Sequence, residues 1–311
     1  MPVKPMRKVP RAIDPATPDM FWKPEDFFWY WMNERHMIYV KRHKMRLPKP
    51  WTDDKILQSY KFTNVFRELD TVSLWMREHW TKPNWNAPLW QTVLNCGIFR
   101  FFGTTEFAAL LGWQKRFEPE HMTDLAYAML AGGGRVFTGA YIISNFGQRR
   151  PKQEVIVEDV LAPFAEECKA IAKVARKTRS LQATFEAMSH LYGFGGNGFM
   201  AYEIVSDLRH TKVLHDCEDN LTWANAGPGA KRGLNRIHER PLNAPVRPQQ
   251  ALEEMQELWR GAIRDGKVGQ HIVKQARFEM REIEHSLCEF DKYMRVHNDE
   301  GRPRGRYDGT P

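Results

Sequence analysis

The residues from Trp223 to Ile237 read Trp-Ala-Asn-Ala-Gly-Pro-Gly-Ala-Lys-Arg-Gly-Leu-Asn-Arg-Ile, a set of types and spacings suited to gripping a phosphate. A helix, a turn at Gly227 and Gly229, and a second helix opening with Lys231 and Arg232 would aim backbone N–H groups and a positive helix end at an anion. Arg236 would follow one turn later. That is the layout of a helix-hairpin-helix element, expected near 220–238, which holds a DNA backbone without reading bases. The competing reading is a glycine-rich connection between two packed helices.

A second stretch, Leu191-Tyr192-Gly193-Phe194-Gly195-Gly196-Asn197-Gly198-Phe199-Met200-Ala201, has the same order of helix, Gly-aromatic-Gly turn and helix. It predicts a second such element near 181–208, with Gly193 and Gly195 against the backbone of DNA, although its turn is longer and lacks a lysine. Glu203, Asp207, Asp216, Glu218 and Asp219 follow it. Carboxylates add nothing to affinity for a polyanion, so acids flanked by anion-binding turns point to general base work, stabilisation of a cation, or a metal bridging phosphates. Asp219 is the preferred candidate, and solvated surface acids are the plain alternative.

The third constellation runs from Tyr60 to Asp70. On a helix, Lys61, Asn64 and Glu68 would share one polar stripe beside the apolar positions, and Arg67 with Asp70 another. Such a stripe lines a pocket, or else makes two ordinary surface salt bridges. Phe21, Trp22, Phe27, Phe28, Trp29, Tyr30 and Trp31 form an aromatic cluster that suits base stacking or, more simply, a core.

Other chemistries find no support. The sequence holds no His-Glu-x-x-His, no His-x-Glu paired with Pro-Cys-x-x-Cys, and no Gly-x-x-x-x-Gly-Lys-Ser/Thr. Zinc proteases, zinc deaminases and P-loop enzymes are therefore not expected. Cys96, Cys168, Cys217 and Cys288 are widely spaced, which argues against a disulfide framework and fits a reducing cytoplasm.

The elements that must carry these residues read as helices. Apolar positions recur at intervals of three and four over 51–80, 87–102, 105–112, 121–131, 153–176, 180–191, 199–208, 249–264 and 268–296, and β-branched alternation is scarce. Thr52 with Asp53 supplies an N-cap for the first of these. An all-α fold is expected. The chain of 311 residues carries a formal net charge of +8, which favours a polyanionic partner. Residues 1–20 and 298–311 mix Pro, Lys, Arg and Gly, and are expected to be a mobile N-terminal tail and a basic C-terminal tail around a single helical unit over 21–297. No apolar run is long enough for a membrane span, so no membrane partner is expected.

Taken together, Arg35 to Tyr39, Pro48 to Leu57, Tyr60 to Asp70 and Trp223 to Ile237 resemble the α-glutamyl/putrescinyl thymine pyrophosphorylases, or amino acid:DNA transferases. This largely bacteriophage family is related to the helical domain of hydroxymethyluracil DNA kinases and to helix-hairpin-helix DNA glycosylases. The resemblance spans about residues 25 to 296. It implies an all-α, helix-hairpin-helix glycosylase-like helical fold and a DNA-modifying transferase, which replaces the pyrophosphate of 5-(pyrophosphoryloxymethyl)uracil in double-stranded DNA with an amino acid or polyamine. A separate hydroxymethyluracil DNA kinase would act upstream, in the cytoplasm of an infected cell. The glycosylases place an essential Asp shortly after a Gly-x-Gly turn, and Asp219 is the position that best matches.

In such a reaction Lys61 and Arg67 would hold the leaving group, and Asp219 or Glu68 would serve the nucleophile as base. Mg2+ would accompany the pyrophosphate, with no ligand set evident. A true DNA glycosylase and a non-catalytic helix-hairpin-helix DNA-binding protein are the alternative readings.

Overall fold

A computed structural model describes residues 22–194, 196, 198–273, 278–303 and 305–307. Among these residues the chain is helical, and its only extended pairing is an isolated antiparallel bridge between Tyr60 and Arg306. The all-α expectation holds. The four cysteines are free thiols. Two compact units emerge, one from residues up to Arg67 together with those from Ala226 onward, the other from Glu68–Asn225.

The first unit is built on two long helices, α1 (Pro24–Tyr39) and α14 (Met280–His297). Proline at the first position and acids Glu25 and Asp26 in the first turn start α1, and the Asp26 carboxylate accepts the Lys23 N–H at 3.2 Å. Phe27 through Asn33 are all buried, so this helix is sequestered nearly all round. Periodicity therefore gave no sign of it, because a one-sided apolar stripe exists only where one side faces water. The aromatic cluster is core from Phe27 to Trp31, with Phe21 outside the described residues: Phe28 and Trp31 are fully buried, and Phe28 meets Phe290 of α14 with ring centroids 5.5 Å apart.

Short α2 (Lys55–Ser59) belongs to the same unit, and its N-cap is Asp54 rather than Thr52 or Asp53. One Asp54 oxygen accepts the N–H groups of Ile56 and Leu57 at 2.8 and 3.0 Å. The other accepts the phenols of Tyr30 and Tyr293 at 3.1 and 2.8 Å. This buried carboxylate ties α1, α2 and α14 together with no charge left unsatisfied. The expected helix over 51–80 does not exist as such. After α2 the chain is irregular to Phe66, makes a 3-10 turn at Arg67–Leu69 and resumes as α3 (Thr71–Trp75).

In the second unit α4 (Leu89–Phe102) is the buried centre, packed against α8 (Ala162–Thr178) and α10 (Phe199–Leu208). A Cβ at Gly97 would lie 2.2 Å from the Phe164 ring, so glycine is what lets α4 and α8 approach. Elements α5 (Thr105–Leu111), α6 (Pro119–Ala131), α7 (Lys152–Glu154) and α9 (Leu181–Ser189) complete it. Six expected helices lie within two residues of their observed ends, while 153–176 is interrupted by a π turn over Val155–Leu161 and 268–296 is broken into α13 (Gln270–Val273) and α14.

Candidate functional site

The expected helix-hairpin-helix near 220–238 is only half present. Residues 212–227 are turns and extended chain, and a single helix, α11 (Pro228–Ile237), follows with Gly227 as its N-cap. The glycines serve packing. A Cβ at Gly229 would lie 2.3 Å from Cys288 Sγ, and one at Gly233 would lie 2.4 Å from the Leu287 carbonyl oxygen, both on α14. This repeat of small residues four apart brings the two helix backbones close together, which is the competing reading of the motif.

The Gly227 N–H, expected to face a phosphate, donates to Glu284 Oε1 at 3.1 Å. Arg232 and Arg236 each place Nε 2.9 Å from an oxygen of the fully buried Asp291, and Arg236 also pairs with Glu300. Lys231 is the exception: half-buried, it makes neither a salt bridge nor a side-chain hydrogen bond among the described residues.

The element near 181–208 does present two helices, α9 and α10, joined by a glycine turn. Gly195 lies outside the described residues. Gly193 has φ +83° and Gly198 φ +70°, and a Cβ on them would meet Val160 at 2.9 Å and the Phe185 ring at 2.4 Å. Phe194 anchors the turn, packing on Phe101 and Phe164 at 5.0 and 4.8 Å.

All five acids that follow have partners. Arg100 is buried between Glu203, 3.2 Å away, and Asp207, which it holds through Nε and Nη2. Arg179 pairs with Asp216 at 3.1 Å and Glu218 at 3.0 Å. Asp219 accepts Ser180 Oγ at 2.7 Å, Leu181 N at 2.8 Å and Gln182 N at 3.0 Å, and so completes the cap of α9 from outside that helix.

Lys61, Asn64 and Glu68 share no helical stripe, because their segment is not helical. Tertiary hydrogen bonds replace helical ones there: Arg35 donates to the Phe62 carbonyl at 3.1 Å, and Thr63 N donates to Glu289 Oε2 at 3.0 Å. Phe62, Val65 and Phe66 are nevertheless buried, as their pattern predicted. Lys61 is exposed and its backbone pairs with Gly305; Asn64 is buried; Arg67 and Glu68 are half-buried, each with interactions of its own.

What sequence reasoning missed is the start of α14. Glu279, Arg281, Glu282, Glu284 and His285 are all buried within about two turns. Glu279 N donates to Glu282 Oε2 at 2.7 Å, and Arg281 reaches Glu282 Oε1 at 3.0 Å. His285 Nδ1 lies 3.0 Å from Glu284 Oε2, while the other Glu284 oxygen takes the Gly227 N–H. Ionisable groups are rarely buried in such number unless they serve chemistry or a structural ion network. A signal existed: Arg281, Glu284 and His285 share one helical face beside the apolar stripe Met280, Ile283 and Leu287, a pattern easily taken for a solvated side.

Burial pushes the Cys96 and Cys168 thiols above their ordinary values, which removes both as nucleophiles. Among the described residues no three His, Cys, Asp or Glu side chains converge to hold a metal, so the donor set offers Mg2+ no ready-made seat. No helix among them is long and apolar enough to cross a membrane.

The fold and this cluster define an all-α protein with ionisable side chains buried at the start of α14. The family model described as "5-hmdU DNA kinase, helical domain" matches residues 24–302, and the chain belongs to that family. A curated relative, the 5-hmdU DNA kinase of Bacillus phage SP10, is 27% identical over 253 residues, covering 73% of this chain and 37% of the relative. The chain thus spans little more than a third of that protein's length. No solved structure matches.

Proposed function

We propose that this protein is a DNA base hypermodification transferase, which replaces the pyrophosphate of 5-(pyrophosphoryloxymethyl)uracil in DNA with an amino acid or polyamine, in the cytoplasm of an infected cell. The observation that carries the reading is the buried ionisable cluster at the start of α14, in a chain whose family is named for an enzyme of 5-hydroxymethyldeoxyuridine DNA. Activation of the hydroxyl falls to a kinase acting upstream.

The chemistry needs little more than positioning and charge. The nucleophile's nitrogen or oxygen forms a bond to the exocyclic methylene carbon as the carbon–oxygen bond to pyrophosphate breaks, the electron pair leaving on oxygen. The nucleophile then loses one proton to a base. Lys61 and Arg67 supply cations for the leaving group in this reading. Asn64 orients the base, and Lys231 contacts the DNA backbone.

Three residues are candidates for the base: Glu68, Asp219 and His285. Support for His285 is the stronger: its Nδ1 lies 3.0 Å from Glu284 Oε2, and a carboxylate beside an imidazole stabilises the ring once it is protonated. Support for Asp219 is reduced by the three donors already on its oxygens.

Nucleoside mass spectrometry tests the proposal, on DNA bearing pyrophosphorylated hydroxymethyluracil incubated with the protein and a pool of amino acids and polyamines. A nucleoside heavier by one co-substrate residue, in strands that stay intact in alkali, is the expected result. Alkali-labile sites would mean a glycosylase, and binding with unchanged nucleosides a non-catalytic DNA-binding protein.

A further inference from the structure

Between α1 and α2 the first unit carries a basic segment, Lys41-Arg42-His43-Lys44-Met45-Arg46, which ends in a slot that none of the groups above uses. The slot has a volume of about 250 Å³, with Trp51, Tyr307, Ile38, Leu57, Lys49 and Pro50 in its wall. That is just below the roughly 300–1,000 Å³ of drug-sized pockets, a size for one planar heterocycle.

Both rings are held in place. The Trp51 indole N–H donates to the Leu47 carbonyl at 2.7 Å, and the Trp51 carbonyl accepts Lys41 Nζ at 2.8 Å. Tyr307 belongs to a stretch expected to be a mobile tail, yet residues 305–307 lie along 59–61. Tyr307 N donates to Ser59 O at 2.9 Å, Lys61 N donates to Gly305 O at 3.1 Å, and Arg42 Nη1 donates to the Tyr307 hydroxyl at 3.1 Å. Fixed aromatic surfaces lose little entropy when a ligand stacks on them.

Cations stand at the same rings. Arg42 lies 5.2 Å and Lys49 5.5 Å from the Trp51 ring centroid, and Lys49 lies 5.6 Å from that of Tyr307. His43, Lys44 and Arg46 are exposed beside them. Partial desolvation by its neighbours, and then Arg42, Arg35 and Lys44, hold the His43 imidazole below its ordinary value, so the positive field here does not depend on that histidine.

A free amine would meet two cations already on the rings, and an intact duplex offers no base face to stack. An unpaired nucleotide satisfies both features at once, its base on the aromatic rings and its phosphates on the cations. We propose that the slot stacks one unpaired base of a DNA strand against Trp51 and Tyr307, with Lys49 and Arg42 turning from the ring faces to the flanking phosphates. This rests on the reading of the chain as a DNA-handling protein.

Fluorescence anisotropy of the full chain with three labelled probes tests it: an oligothymidylate, an oligomer of equal length and charge made of abasic sugars, and a duplex. The parent should prefer the oligothymidylate. Trp51→Ala should lower that affinity roughly tenfold, as loss of one stacked base does, and leave the abasic oligomer unaffected. Trp51→Phe should restore most of the preference, and Tyr307→Ala gives an independent variant should Trp51→Ala fold poorly. Lys49→Gln should reduce the salt slope by about 0.7 on both single strands. Equal affinity of the parent for thymidylate and abasic strands, with the duplex still bound, overturns the slot alone. If none of the three probes binds, the DNA-handling reading falls and the slot falls with it.

Discussion

A side chain at position 233 would collide with the backbone of Leu287, since an added Cβ would lie 2.4 Å from that carbonyl oxygen. Main chain, unlike the end of a flexible side chain, does not swing aside. Gly233→Ala should therefore force α11 away from α14 and cost about 1–3 kcal/mol, as overpacking does. Thermal unfolding reads this directly, and an unchanged midpoint would show that the close approach of the two helices is not needed. Because Glu284 caps Gly227 across the same interface, the variant should also lower activity in the folded fraction.

The three basic residues of α11 should separate by experiment. Lys231→Ala should weaken duplex binding about equally for all sequences and reduce the salt slope by roughly 0.9, the loss of one phosphate contact, with no change in stability. Arg232→Ala or Arg236→Ala should instead lower stability, since each removes a 2.9 Å hydrogen bond to the fully buried Asp291, with only the longer 3.6 Å contact of Arg295 remaining on Oδ2 in the first case. A salt slope unchanged in Lys231→Ala would remove this helix from the DNA surface.

These residues also show what sequence could and could not convey. Gly227, Gly229 and Gly233 are legible as a close approach, but the approaching object is a helix and not a phosphate, because glycine spacing is equally suited to both. From 60 to 66 the apolar spacing of Phe62, Val65 and Phe66 correctly marks burial. Its helical form is lost because Arg35 and Glu289, remote in sequence, take over the backbone groups of Phe62 and Thr63. The α4 and α10 helices are read to within two residues, each being rich in apolar side chains and preceded by a breaker, Pro88 or Gly198. Buried charge on α14 went unread since a helix with ionisable groups on one side resembles a wet surface until its neighbours are known.

Asp219 carries two roles that make opposite predictions. As the outer cap of α9 it accepts Ser180 Oγ, Leu181 N and Gln182 N, so Asp219→Asn should destabilise the protein by about 1 kcal/mol and leave turnover of the folded fraction near that of the parent. As catalytic base it would show parental stability and a fall in turnover of about a hundredfold or more. Denaturant unfolding combined with single-turnover product formation decides between them, and the hydrogen bonds favour the first outcome.

His271 should make stability depend on acidity. Burial lowers its pKa below the ordinary 6.5, its ring stacks on that of His36 with centroids 5.5 Å apart, and its Nε2 is buried without a hydrogen bond. The unfolded chain therefore takes up this proton first as the pH falls. The contribution is complete above about 6.5 and is lost progressively below it, until the pH falls through the lowered folded-state value. Guanidinium unfolding at pH 7.5 and 5.5 should show the loss in the parent and a smaller one in His271→Gln. Identical losses would assign the acid sensitivity to other groups.

The pair formed by His285 and Glu284 gives the most direct test of the chemistry. On the proposed reading His285 takes the nucleophile's proton, and the Glu284 carboxylate, 3.0 Å from its Nδ1, would stabilise the imidazolium so formed. His285→Gln keeps a polar group of similar reach but no base of comparable strength, so product formation should fall by 10²- to 10⁴-fold while DNA binding persists. Glu284→Gln should cost less in rate but move the acidic limb of the pH–rate profile downward, because a neutral amide no longer supports the protonated ring. It also weakens the acceptor for Gly227 N–H, so its unfolding midpoint should drop as well. A purely structural pair behaves differently: both variants would lose stability, the folded fraction would turn over at the parental rate, and the pH profile would stay in place. That result would return the base to Glu68, to be examined next by Glu68→Gln in the same single-turnover assay.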